Sequence, residues 1–409
     1  MAAVFASLAA VSGADDIGSI AWRKLGAAEG FAGGSVAALL QDRRGYVWIG
    51  ASGGLYRFDG LNFVRIGPPG GVFASISCLA EDGQGFIWAG SMGMGLGVYD
   101  PQKDVFQRIG AESAERSRGG GVVSLAIGKD GRALALWADG SLSVLSGETD
   151  AQGRALFSVA DAGLSLDAGY GSGPLAVDIS GKIWVGSESR GLRVFGPGGQ
   201  LLGDYAHDPA KADSLGSSSI RILFEDSLGY LWVGLGDGGV DLYREGKFIH
   251  ALAASPGGRG DIWCRYSGRG TVVSIAEDLK GRIWIGKEGG GLAVLEPSTM
   301  KISQEDGFSG RRVLAMMRDR RGLMWLGLER GGLLTGDHRS ASVRRYAASA
   351  DGQTLAAALG MGKSENGRPI VISRSGRIFG YDPYDDEFRV LSSPGAWVPL
   401  SSGGIARLP

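Results

Sequence analysis

An all-β chain folded as a ring of repeated four-stranded sheets is predicted by three observations. Glycine supplies 73 of 409 residues, about two and a half times its ordinary share, with no collagen-like period, and so many glycines imply many tight turns and many short strands. A motif, Gln41-Asp42-Arg43-Arg44-Gly45-Tyr46-Val47-Trp48-Ile49-Gly50 followed by Gly53-Gly54-Leu55-Tyr56, returns along the chain. The segment Tyr46-Val47-Trp48-Ile49 is apolar on both faces, where a half-exposed strand would alternate, so it must be covered from both sides.

The copies set the count. Glu81-Asp82-Gly83-Gln84-Gly85-Phe86-Ile87-Trp88 repeats the motif, and it recurs at Asp178 and Trp184, Asp226 and Trp232, Asp278 and Trp284, and Asp319 and Trp325. Two copies are worn: Asp130-Gly131 leads to Leu134 in the Trp slot, and Asn366-Gly367 leads to Ile370. From Trp48 to Ile370 seven intervals average 46 residues and range from 40 to 52. That period, with several short strands per unit, is the signature of a β-propeller of four-stranded blades. Seven blades closing near residue 345 are favoured, with eight in one ring as the alternative.

Each element of a blade has its reason. An apolar first strand such as Val36-Ala37-Ala38-Leu39-Leu40 runs into the Asp-x-x-Gly turn, where the carboxylate bonds turn amides and the glycine takes φ > 0. The second strand carries the tryptophan, and a Gly-rich turn leads to a third strand (54–58) and a fourth (62–66). Six of the ten tryptophans share one slot, so Trp48, Trp88, Trp184, Trp232, Trp284 and Trp325 are assigned to inter-blade packing. Asp42, Asp82, Asp178, Asp226, Asp278 and Asp319 are assigned to the turns; one carboxylate per turn falls short of the ligand number calcium needs. Closure requires the first and last blades to share strands, because an open ring would leave two sheet edges exposed, and Ile20 to Leu25 is the expected contributor. Residues 346–409 are expected to begin a second propeller or to form an eighth blade.

Net charge is −1, with 42 basic and 43 acidic residues interspersed, which argues against a nucleic-acid or anionic-membrane surface. Cys78 and Cys264 cannot make a disulfide framework and read as small buried thiols. Ala2 to Val11 is a short apolar run, with Ser12 and Ala14 at the −3 and −1 positions of a signal-peptidase site before Asp15. Residues 1–14 are read as a signal-peptide remnant lacking its basic start, and no stretch is long enough for a membrane span.

These residues resemble the two-component regulator propeller repeat, found in the extracytoplasmic sensor regions of bacterial hybrid two-component systems and of some diguanylate cyclases. The resemblance rests on the Asp-x-x-Gly-x-φ-Trp-φ-Gly core with its Gly-Gly-Leu, where φ is apolar, on Gly30-Phe31…Ser35-Val36…Asp42, and on Tyr205-Ala206-His207-Asp208-Pro209…Ser214-Leu215. It implies a periplasmic sensory module whose transmitter and membrane helix lie in a downstream region, so that the chain is expected to be an N-terminal fragment.

His207, His250 and His338 are isolated from one another, and no ligand-spaced cluster suggests a metal. Gly234-x-Gly236-x-x-Gly239 is followed by a strand and offers no helix N-terminus to a pyrophosphate. No cofactor and no catalytic residue is assigned. Most variation in spacing falls between the fourth strand of one blade and the first of the next, on the face shared with the turns after the Trp strand. The longest connection, 253–271, holds Trp263, Arg265, Tyr266 and Arg269, a mixture of stacking faces and planar hydrogen-bond forks. Arg190, Asp237, Glu288 and Arg330, with Glu188, Lys287 and Glu329, join them from the Gly-rich turns. The expected partner is an extracellular small molecule or oligosaccharide, with a homodimer also considered and no nucleic acid; a propeller enzyme or an interaction scaffold are the alternatives.

Overall fold

The computed structural model describes residues 20–337 apart from 69–70, 110–119, 150–154, 165, 167–172, 253–269, 290, 306–307 and 309, and then 358–363, 369–373, 377–382, 387–392, 397–399 and 405–407. Among the described residues every regular element is a strand except one 3-10 turn, Ala27–Glu29.

After β1 (Ala21–Leu25) come β2 (Val36–Gln41), β3 (Val47–Ala51), β4 (Gly54–Phe58) and β5 (Phe63–Ile66). These last four make one antiparallel sheet in chain order. Five more four-stranded sheets follow over 76–109, 122–161, 175–205, 220–252 and 272–304. A seventh, over 313–337, has three strands of its own and takes β1 as its fourth, from Ala21 opposite Asp337 to Leu25 opposite Leu333. Val36 and Leu39 of the first sheet pack with Trp325, Leu333 and Met317 of the seventh, so the ring is continuous there. A further four-stranded sheet over 358–392 and a hairpin of Trp397–Pro399 with Ile405–Arg407 pair within themselves.

The six repeat tryptophans occupy one register position on the second strand of their sheets, each opposite the penultimate residue of the first strand, as Leu40 faces Trp48, Ala176 faces Trp184 and Ala276 faces Trp284. Each is at most 4% exposed, and each packs toward the next sheet: Trp48 against Ile76, Ile87 and Tyr99, Trp284 against Val313, Met324 and Leu326. This is the two-sided cover that the non-alternating strand demands. Ile370 takes the same register position in the 358–392 sheet.

The glycine two residues after each tryptophan is explained by close approach and not by a turn. In six of the seven ring sheets the first strand carries a bulge after its opening β-branched residue, as between Val36 and Ala38 or Val272 and Ser274, and that residue lies over the glycine of the preceding sheet. A Cβ on Gly50 would come within 2.7 Å of Ile76, on Gly234 within 2.7 Å of Val272, and on Gly327 within 2.5 Å of Val36. In the third sheet Leu136 stands in the glycine slot, and there the first strand of the neighbouring sheet is preceded by Gly173-Pro174. Leu136 fills that space, packing with Leu175, Val185 and Phe195.

Candidate functional site: the two mouths of the ring

The Asp-x-x-Gly turns ring one mouth. Asp42 Oδ1 accepts the amides of Arg44 (3.0 Å) and Tyr46 (2.9 Å), and Gly45 has φ 96°. The second carboxylate oxygen has a role the sequence did not reveal: it accepts the indole Nε1 of the repeat tryptophan, at 2.8 Å in Asp42–Trp48, Asp82–Trp88 and Asp226–Trp232, 2.9 Å in Asp178–Trp184 and Asp278–Trp284, and 3.1 Å in Asp319–Trp325. The worn third copy lacks both partners. Its turn runs from Gly128, whose amide bonds Arg132 O, so Gly128 holds the place of Asp42 and Asp130 sits two residues further on, bonded to Arg132. Where the indole is gone, its acceptor is gone too.

The residue before the turn carboxylate ties sheet to sheet at this mouth. Glu81 accepts the amide of Arg43 (2.8 Å), Glu225 that of Ile179 (2.9 Å), and Glu277 that of Ser227 (3.0 Å). Gln41 does the same for Arg320 (2.8 Å), across the join between the seventh sheet and the first. Between the last strand residues of sheets five, six, seven and one lies a cavity of about 380 Å³.

The opposite mouth carries the Gly-rich turns and, by strand order, the described ends of the connections between sheets. Arg190, Asp237, Glu288 and Arg330 are exposed there. Two of the acidic turns are bound across the seam to the next sheet: Glu188 pairs with Arg221, while Arg312 donates to Glu288 (2.7 Å) and to Glu329. Arg312 Nε is buried and has no hydrogen-bond partner. Lys287 is buried, with its neighbour Glu288 held through its amide by Thr271 O (2.7 Å). Trp263, Arg265, Tyr266 and Arg269, with Cys264, lie outside the described residues, as do His338 and residues 1–14.

The two described histidines are held by structural partners. His207 Nδ1 lies 2.7 Å from Leu215 O, within the connection where the Ser214 hydroxyl also joins the amide and carbonyl of Asp208, and Leu215 is fully buried. His250 Nδ1 lies 2.7 Å from Asp241 Oδ1, whose other oxygen accepts the amide of Gly216. Burial pushes the Asp241 carboxyl above its ordinary range. Among the described residues no three His, Cys, Asp or Glu side chains converge as a metal site would require, and no helix is long and apolar enough to cross a membrane. Cys78 is a free, partly buried thiol whose pKa desolvation pushes up to about 12.

Comparison with known proteins agrees with this geometry. Residues 30–53 match the family model described as two component regulator propeller. No curated protein sequence matches the chain. Among solved structures, the extracellular domain of the hybrid two-component system BT4673 of B. thetaiotaomicron is similar with a TM-score of 0.57 at 17% identity, covering 95% of this chain and 58% of that one. The corresponding domain of BT3049 from the same organism gives 0.56 at 15% identity, covering 95% and 52%. Virginiamycin B lyase of Staphylococcus aureus gives 0.57 at 11% identity, covering 78% of this chain and 99% of that one. The chain thus spans a little over half the length of the extracellular domains it resembles. At these identities the likeness establishes the fold, and the chain is a β-propeller whose residues 30–53 match the two component regulator propeller model.

Proposed function

We propose that this propeller is the ligand-sensing part of an extracytoplasmic signalling receptor and is not itself catalytic. The observation that carries the reading is the combination of a two component regulator propeller repeat with a fold shared along 95% of the chain with extracellular domains of two hybrid two-component systems. The division of labour inside the ring supports it. Tryptophan, carboxylate and glycine repeat from sheet to sheet, while charged turns and connections of unequal length are gathered at one mouth. A small molecule or oligosaccharide contacted there, by residues 253–271, Arg190 and Arg330, bridges several blades and so biases their packing; the output passes through a region downstream. Residues 20–345 form the sensing ring in this reading, residues 346–409 begin a second propeller, and residues 1–14 derive from an export signal.

The lyase likeness keeps an enzyme as the competing class, and the two are separated by one experiment. Incubating the chain with a panel of oligosaccharides and small metabolites, following the melt, and then analysing each stabilising compound by mass spectrometry should return it chemically intact. A stabilising compound that is turned over would replace the sensor with an enzyme.

A further inference from the structure

The cavity at the Asp-x-x-Gly mouth, opposite the variable face, has a composition that packing alone does not require. Its wall is made by Leu39, Phe224, Ile275, Met316 and Met317 on the innermost strands of four consecutive sheets, and its rim by Glu225, Asp226, Ser227, Glu277 and Arg318. A volume of about 380 Å³ lies in the range of small-molecule sites, and methionines adapt to the shape of an apolar occupant.

The rim charges are unequally satisfied. Asp226 spends one oxygen on the amides of Leu228 and Tyr230 and the other on Trp232. Glu277 receives the amide and hydroxyl of Ser227 on its two oxygens and has Arg318 at 3.9 Å, while Arg318 donates to Asp278 O at 2.8 Å. Glu225 differs. Its Oε1 accepts the amide of Ile179, but Oε2 has no partner among the described residues. Burial, reinforced by the like charges of Asp178 and Asp226, raises its carboxyl above the ordinary range, and no cation offsets them. A carboxylate oxygen without a protein partner beside two methionines and a phenyl ring, in a recess that opens to solvent, is the arrangement that an amphiphilic cation satisfies, through a charge-assisted hydrogen bond and the ring face.

We propose that this cavity is a second binding site, taking a small organic monocation whose ammonium donates to Glu225 and whose hydrocarbon body lies against Met316, Met317 and Phe224. An anion is disfavoured there because the one guanidinium on the rim already serves Asp278 and Glu277. The site is separate from the variable mouth, so its occupancy does not depend on the reading given above.

The test is calorimetric titration of the full 409-residue chain with n-hexylammonium, n-hexanol and hexanoate. Hexylammonium should bind at least about tenfold more tightly than hexanol, with hexanoate weaker still. Glu225→Gln should abolish that margin without lowering the melt, because Gln41 already performs the same inter-sheet bond at the seam between the seventh and first sheets. Met316→Trp, which fills the chamber, should remove binding of the amine and the alcohol alike. Equal affinities for amine and alcohol, a margin that survives Glu225→Gln, binding that survives Met316→Trp, or no binding of the amine at millimolar concentration would each overturn the proposal.

Discussion

The indole Nε1 of Trp284 donates to Asp278 Oδ2 over 2.9 Å, and the same oxygen accepts Arg282 Nε over 2.8 Å, with all three residues buried. One carboxylate therefore closes the turn of its own blade and fixes the ring of the residue that packs on the next. Asp278→Ala leaves a buried indole N–H and removes a carboxylate from a buried guanidinium, and the expected loss is about 3–5 kcal/mol. Trp284→Ala is expected to cost a similar ~3–5 kcal/mol through lost packing. Denaturant melts of both variants check this.

Gly234 and Gly93 separate close approach from turn flexibility. A Cβ at Gly234 would meet Ile222 at 2.5 Å and Val272 at 2.7 Å, whereas one at Gly93 meets nothing within 4 Å. Gly234→Ala should destabilise by about 1–3 kcal/mol through overpacking of the seam, and Gly93→Ala should be neutral within about 0.5 kcal/mol. Equal melts for the two would remove the close-approach explanation.

Ring closure depends on β1. Trp22 is 2% exposed, meets Trp284 and Phe308 edge to face at centroid distances of 6.0 and 5.5 Å, and donates its indole N–H to Glu305. Trp22→Ala should cost about 3–5 kcal/mol and raise hydrogen exchange along Leu333–Asp337, the strand that β1 covers. Exchange unchanged along that strand would mean that the edge is protected in another way.

Stability should pass through a maximum on the acid side of neutrality. Burial works to raise the Asp178 and Asp278 carboxyls, but hydrogen bonds from Ser180, Trp184 and the Lys182 amide in one, and from Trp284 and Arg282 in the other, outweigh it, and both sit below the usual 3.8. Their contribution is complete above that unfolded value and is lost as pH falls through the lower folded ones. Glu81, Glu225 and Asp241 are raised, by burial above all. Their charged forms are disfavoured in the fold, so stability rises as pH falls from neutrality through their folded values. Melts taken from pH 7 downward should peak at about pH 4–5 and decline steeply below it. A monotonic fall from pH 7 would contradict these assignments.

The blade was legible in the sequence because packing between equivalent sheets forces equivalent residues: the Trp slot, the turn glycine and the doubly apolar second strand each follow from local geometry. What connects blades was less visible. The bond from Gln41 to the amide of Arg320 spans 279 positions, and nothing in either residue's surroundings announces it. The Asp130 of the worn copy looked like the turn carboxylate because an Asp-Gly pair follows the spacing loosely, whereas the backbone bond from Gly128 to Arg132 fixes the register. At the variable mouth, exposure of Arg190 and Arg330 was readable from their Gly-rich turns, but the pairing of Glu288 with Arg312 is set by the seam between two sheets. The cavity went unread because its wall residues, Met316 and Phe224 among them, carry an ordinary strand pattern.

The measurement closest to the central claim concerns Trp263 and Arg265 on the longest connection. A compound that stabilises the chain in the panel screen is titrated calorimetrically against wild type and the Trp263→Ala, Arg265→Ala double variant, with melts of both proteins alone. A sensing mouth predicts affinity reduced about tenfold or more, with the ligand-free melt nearly unchanged, because a connecting loop contributes little to burial between blades. Unchanged affinity, or a collapse of the ligand-free melt, would contradict it.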